Sequence, residues 1–239
     1  DDTYRFLKDC ENWYGKEIET ITVLTSDSKF KSIKDVWRGS KSLNVANGAI
    51  CSSTLEIDLR VKWQKENEFD HQVFGFDLDE AKRVKGMVLN HPLAKPIFPL
   101  WLYGYTKKDC IKIIEEAGIE VPQMYHLGFK NNNCFKTGCV QGGIGYWQKM
   151  KRDFPEKFDA MADMEHELTK AKGRPVTMLK DQSKKGGLVF LKTNPAYPDL
   201  KDISMMKGRD PEPLFECNGM CSVNDLEDRK ISEKDINYD

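Results

Sequence analysis

Apolar positions at the front of the chain fall at helical intervals: Phe6, Leu7, Cys10, Trp13 and Tyr14 occupy i, i+1, i+4, i+7 and i+8. This spacing predicts a helix over residues 3–14, with Asp1 and Asp2 as caps and Gly15 as the stop. The pattern then changes. β-Branched residues crowd EIETITVLT (17–25), which predicts a strand. A short amphipathic piece follows at 32–38, then a helix from Thr54 to about Lys65 and a short apolar strand, QVFGF, at 72–76. Residues 77–90 read as an acid-capped helix ended by His91-Pro92. Thr106 and Asp109 have capping-box spacing ahead of a buried stripe of Cys110, Ile111, Ile114 and Ala117, closed by Gly118.

The second half follows the same logic. DFPE offers a cap near Asp153 for a helix whose stripe is Phe158, Met161, Ala162, Glu165 and Leu168, stopped by Gly173. RPVTMLK and GLVFLK predict two strands joined through the turn-rich KDQSKKGG. From Lys201 the chain reads as polar loop. Alternating strands and helices over residues 1–128 predict a three-layer α/β domain. Residues 129–223 read as a cysteine-rich helical module and residues 224–239 as a charged tail. Because a βαβ unit does not begin at its helix, a further strand is expected upstream of Asp1.

Composition narrows the classes. The 239 residues are 39% hydrophobic and 31% charged, enough for a packed core under a solvated surface. A net charge of -1 gives no global field for nucleic acid or anionic lipid, so autonomous nucleic-acid binding is not expected. The least polar run, PIFPLWLYGY at 96–105, is too short to span a bilayer and is broken by prolines, so no membrane partner is expected.

The seven cysteines are Cys10, Cys51, Cys110, Cys134, Cys139, Cys217 and Cys221. An odd count without a visible secretion signal points to reduced thiols in the cytoplasm. Cys10 and Cys110 fall on helical apolar faces and read as core. The other candidates pair up. Cys134 and Cys139 form C-x4-C in NNNCFKTGC, and Cys217 and Cys221 form C-x3-C in ECNGMC. Both stretches are rich in small polar residues, and four thiolates satisfy a tetrahedral zinc or a cubane cluster. The spacing is not the C-x2-C of a zinc ribbon, so four unrelated thiols remain the plainer alternative. Irregular spacing leans toward 4Fe–4S over zinc.

Several segments together resemble the phosphoadenosine phosphosulfate (PAPS) reductase family of the adenine nucleotide alpha-hydrolase (PP-loop) superfamily. They are DDTYRFLKDCENWYG, GAICSSTLEIDLR, QVFGFDLDEAKR, PIFPLWLYGYTKKDC, GFKNNNCFKTGCVQGGIGYW, HELTKAKGRPVTMLKDQ and ECNGMC. The similarity is to the bacterial and phage-type branch bearing NNC-x4-CV-x-GG, and it spans nearly the whole chain. It implies a Rossmann-like adenine nucleotide alpha-hydrolase fold with a C-terminal helical, metal-bearing extension. It places Asp2 and Thr3 near the adenine and ribose, Gly75 and Arg83 at the phosphates, and Cys134, Cys139, Cys217 and Cys221 as cluster ligands. The implied function is binding of an adenine nucleotide (ATP or PAPS-like) and sulfur handling, by sulfonucleotide reduction or ATP-dependent sulfur transfer. The alternative is a non-catalytic, metal-stabilised module that binds nucleotide or a protein partner in a nucleic-acid modification or defence system. Two departures stand out. The serine-glycine-glycine phosphate loop is not in the sequence, and is expected upstream of Asp1. Glu56 stands where relatives often carry lysine.

Overall fold

Helix α1 spans Asp2–Tyr14 and stops at Gly15, whose φ of +64° suits a residue without a Cβ. The computed structural model describes residues 2–22, 29–45, 48–183 and 186–211. Residues 17–22 join no ladder, against the strand expected there, and residues 23–25 lie outside the described residues. Strand propensity is realised through cross-strand and same-face neighbours. Here Ile21 stays exposed, and the Ile18 N–H goes to Glu11 Oε1 at 3.0 Å.

Helix α2 (Ile33–Ser40) forms as the amphipathic pattern predicts. Ser32 Oγ caps it by accepting from the Asp35 N–H at 3.2 Å, and Val36 and Trp37 are buried. A small antiparallel pair, β1 (Asn44–Val45) and β2 (Gly48–Ala49), leads into a continuous helical run. That run is α3 (Ile50–Ser52), a π-turn over Ser53–Ile57, and α4 (Asp58–Glu66). It begins four residues before the predicted start at Thr54.

Strand β3 (Gln72–Val73) is shorter than its apolar run and pairs in parallel with β4 (Pro96–Ile97), a strand the pattern does not predict. Between them, Asp77 closes a capping box with Glu80, a 3-10 turn covers Leu78–Glu80, and α5 runs over Ala81–Asn90. The unit is therefore strand, helix, parallel strand. Phe76, Val84, Met87, Ala94 and Phe98 form its small core, with the Phe76 and Phe98 rings stacked at 5.4 Å. Next come α6 (Pro99–Leu102), α7 (Lys107–Glu116) and α8 (Gln123–His126). Thr106 and Asp109 cap α7 as predicted, but its apolar stripe is only half-buried.

The larger core lies in the second half. Helix α9 (Ile144–Asp153) packs on α10 (Pro155–Lys172), and both cover a three-stranded sheet of order β5-β6-β7. Strand β5 (Leu179–Asp181) runs antiparallel to β6 (Gly187–Phe190), as the two apolar runs predict. Strand β7 (Lys201–Asp202) pairs in parallel with β6, where the sequence reads as loop. Asp153 does not cap α10. It ends α9 and pairs with Lys149 and Arg152, while Pro155 opens α10 with its fixed φ. The architecture is a mixture of helices and small sheets, and its largest described sheet lies beyond residue 128. No helix among the described residues is long and apolar enough to cross a membrane.

Candidate functional site

The loop that carries Cys134 and Cys139 is seated on two buried aromatics of α9. Tyr146 is 1% exposed, and its hydroxyl donates to Asn133 Oδ1 at 2.9 Å and accepts from the Cys139 N–H at 3.0 Å. One phenol thus ties both ends of the loop. Burial above all pushes the Tyr146 pKa well above its ordinary value, although the Cys139 N–H opposes it, so the phenol keeps its proton. Trp147 lies beneath Gly138, which adopts φ +74°. A Cβ there would sit 2.4 Å from the indole. At Gly142 a Cβ would fall 2.2 Å from the Tyr146 ring. These glycines let the backbone lie flat on the aromatic pair. The Gly142 N–H donates to the Cys139 carbonyl at 2.8 Å, and Cys134 is left exposed and Cys139 half-buried.

Both thiols line a cleft of about 390 Å³. Its other wall belongs to the β3–α5 unit and includes Gly75, Phe76, Glu80 and Arg83, with Lys107 from the start of α7. The Arg83 guanidinium stacks over Phe76 at 4.0 Å and is paired with Glu80. Lys107 Nζ lies 3.8 Å from Asp77 Oδ2. On the thiol side stand Ser52, Glu56, Gln141 and the three asparagines Asn131, Asn132 and Asn133. A smaller hollow of about 140 Å³ shares Ser52, Glu56 and both thiols with the cleft, and extends to Trp37 and Ala49. Ser52 Oγ donates to Glu56 Oε1 at 3.2 Å across the π-turn. Glu56 keeps solvent access as a residue, yet atoms around its carboxyl desolvate it and raise its pKa, against the Ser52 bond.

The structure brings Gly75, Arg83, Cys134 and Cys139 together and places Asp2 and Thr3 elsewhere. Asp2 Oδ2 accepts from the Gln123 N–H at 2.7 Å and so caps α8 from a distance, and its Oδ1 takes Arg5. Burial raises the Asp2 carboxyl, but Gln123 and Arg5 outweigh it and hold the pKa below the ordinary value. Thr3 is exposed on α1. A groove of about 400 Å³ near α1 is lined by Arg5, Asp9 and Glu120, whose polar groups already bond one another. Gly75 adopts an ordinary backbone, and a Cβ there would meet only Leu100 Cδ1 at 3.9 Å.

Cys217 and Cys221 lie outside the described residues. Among the described residues no group of three or more histidine, cysteine or acidic side chains is arranged to hold a metal ion. The chain leading toward them is fixed as far as Pro211. Gln148 Nε2 donates to the carbonyls of Met206 (3.3 Å) and Lys207 (3.2 Å), and its Oε1 accepts from the Arg209 N–H at 3.0 Å. An ideal Cβ on Gly145 would lie 2.0 Å from the Asp210 carbonyl oxygen. The strap therefore runs along α9 toward its N-terminus, the end that carries the Cys139 turn.

Sequence reasoning did not place Lys107, Ser52 or Gln141 in a site, and took Glu56 only as a departure from the family. One signal was available: Ser52 stands four positions before Glu56, although the predicted helix was expected to start only at Thr54. Comparison with protein-family models, with curated proteins and with solved structures gave no match.

Proposed function

We propose that the cleft binds an adenine nucleotide and that the protein is a PAPS reductase-like oxidoreductase or sulfur transferase acting beside Cys134 and Cys139. One observation carries the reading. The two residues expected at the nucleotide phosphates, Gly75 and Arg83, share one cleft with two cysteines more than fifty positions further along the chain. The unit behind Arg83 supports it. β3, α5 and β4 form a parallel strand–helix–strand arrangement, and Gly75 follows the carboxyl end of β3, where α/β sheets place ligands. On this reading the β3–β4 pair belongs to a three-layer, Rossmann-like sheet. A phosphate would meet a guanidinium already oriented by Glu80 and Phe76, with Lys107 nearby. The expected setting is cytoplasmic, with a modification-system protein as a further partner.

The metal centre belongs to the same proposal. Described residues supply two of four thiolates, and the strap along α9 is directed toward them. Cys217 follows Pro211 by six residues, about 20 Å of extended chain, which allows the second pair to reach the first. Cys134, Cys139, Cys217 and Cys221 would then hold a 4Fe–4S cluster, or zinc. A cluster would supply electrons to sulfur chemistry in the cleft, whereas zinc would only tie the C-terminal segment to the loop.

Two measurements test the proposal. Arg83→Ala is expected to weaken adenine nucleotide binding by about 1.5–3 kcal/mol in calorimetry, the range of a charge-assisted contact. Unchanged affinity with the fold intact removes Arg83 from the site. Iron and acid-labile sulfide are then measured on anaerobically purified protein, with zinc alongside. Cys134→Ser and Cys217→Ser should each lower the metal content. If both keep the full content, the two loops do not share a centre.

A further inference from the structure

Among the described residues, Glu56 is the one cleft-lining acid without a cation. Glu80 is paired with Arg83, and Asp77, behind the cleft, approaches Lys107. Among the described residues Glu56 makes no ion pair, and its carboxyl bonds only the Ser52 hydroxyl, at 3.2 Å. It stands on a π-turn, an insertion that recurs at functional sites. The two walls thus differ. Arg83 and Lys107, each beside an acid, belong to the wall of β3, α5 and α7, and a carboxylate without a cation among the described residues belongs to the wall beside the thiols. The anionic end of a ligand is drawn to the first and repelled by the second, which fixes the direction in which a nucleotide lies.

We propose that Glu56 reads the base, accepting a hydrogen bond from the 6-amino group of adenine. The assignment rests on the nucleotide reading given above and adds its specificity. An ionised carboxylate can only accept hydrogen bonds. The 6-amino group of adenine is a donor, whereas hypoxanthine presents an acceptor at position 6 and its nearest donor, N1–H, one ring position away, so it reaches the same carboxylate only if the base shifts. A site built around such a bond rejects the analogue that cannot make it. The cleft and its adjoining hollow fall within the range of small-ligand sites, so a nucleoside monophosphate fits their combined size.

The experiment titrates the full chain with AMP and, separately, with IMP, which differ at position 6. AMP should bind at least about tenfold more tightly. In Glu56→Gln the two should come within about threefold of each other, because the amide can also donate to a 6-oxo group. Glu56→Ala, which can do neither, should likewise lose the preference. Equal binding of AMP and IMP by the wild-type protein overturns the role of Glu56 while leaving nucleotide binding in place. So does a preference that survives both substitutions. If neither nucleotide binds, the nucleotide reading itself falls and takes this assignment with it.

Discussion

Glu165→Ala should cost the protein about 3–5 kcal/mol of stability, because it leaves one buried and one partly buried N–H group unpaired and a cavity beside them. Glu165 is 0% exposed in the middle of α10. Its Oε1 accepts from the Met178 N–H at 2.9 Å and its Oε2 from the Leu191 N–H at 2.7 Å. One side chain thereby ties the long helix to the segment entering β5 and to the residue that follows β6. Chemical denaturation measures the loss. A change below about 1 kcal/mol would mean that those N–H groups find other partners.

The same residue gives a pH signature. Burial pushes the Glu165 carboxyl from 4.5 up to about 8, with the Leu191 and Met178 N–H groups opposing the rise. The folded protein then holds a proton that the unfolded chain has released above about pH 4.5. The stability tied to that proton is full below pH 4.5 and disappears as the pH climbs through about 8. Wild-type protein should lose stability over this window relative to Glu165→Gln, with a ceiling of roughly 5 kcal/mol at about 1.4 kcal/mol per pH step. Parallel pH profiles of the two proteins would contradict the assignment.

Gly138→Ala should cost about 2–4 kcal/mol. The left-handed backbone accounts for about 1–2 of this and overpacking against a fixed ring for the rest. Trp147 is fully buried and a Cβ at 138 would sit 2.4 Å from it, so the indole has nowhere to retreat. The substitution should also loosen the thiol loop and speed alkylation of Cys139, which is half-buried in the native arrangement. Unchanged stability and unchanged thiol reactivity together would show that the aromatic pair does not seat this loop.

What the sequence revealed of the fold depended on how local the interaction was. α1, the Asp77 and Thr106 caps and the Gly173 stop involve neighbours within four residues, and all can be read from spacing alone. β4 and β7 are two-residue strands that exist through their partners, so no propensity marks them. EIETITVLT shows the converse: a strand-like composition whose described residues join no ladder. Glu165 falls on the apolar stripe of its helix, which marked the position as buried. Its two partners flank strands β5 and β6, thirteen and twenty-six residues away, and left no such mark. At the site, Cys134 and Cys139 were chosen for their chemistry and Gly75 and Arg83 from the family resemblance, and the four do share a cleft. Asp2 was chosen from a family resemblance, and its carboxylate instead closes the end of α8. The role of Tyr146 stayed hidden because it joins Asn133 to Cys139 through a single hydroxyl, a contact that periodicity does not encode.

The cleft has a further consequence, which comes from where its walls belong. One wall stands on the small cluster of Phe76, Val84, Met87, Ala94 and Phe98, and the thiol loop rests on the large cluster that contains Tyr146 and Trp147. The two clusters have no residue in common. A molecule that grips both walls therefore acts as a cross-brace, and part of its binding energy is stored as cohesion between two separately packed bodies. By thermodynamic linkage the reverse also holds. Any change that loosens one cluster from the other weakens the grip on the ligand by the same amount, even when every residue touching the ligand is intact.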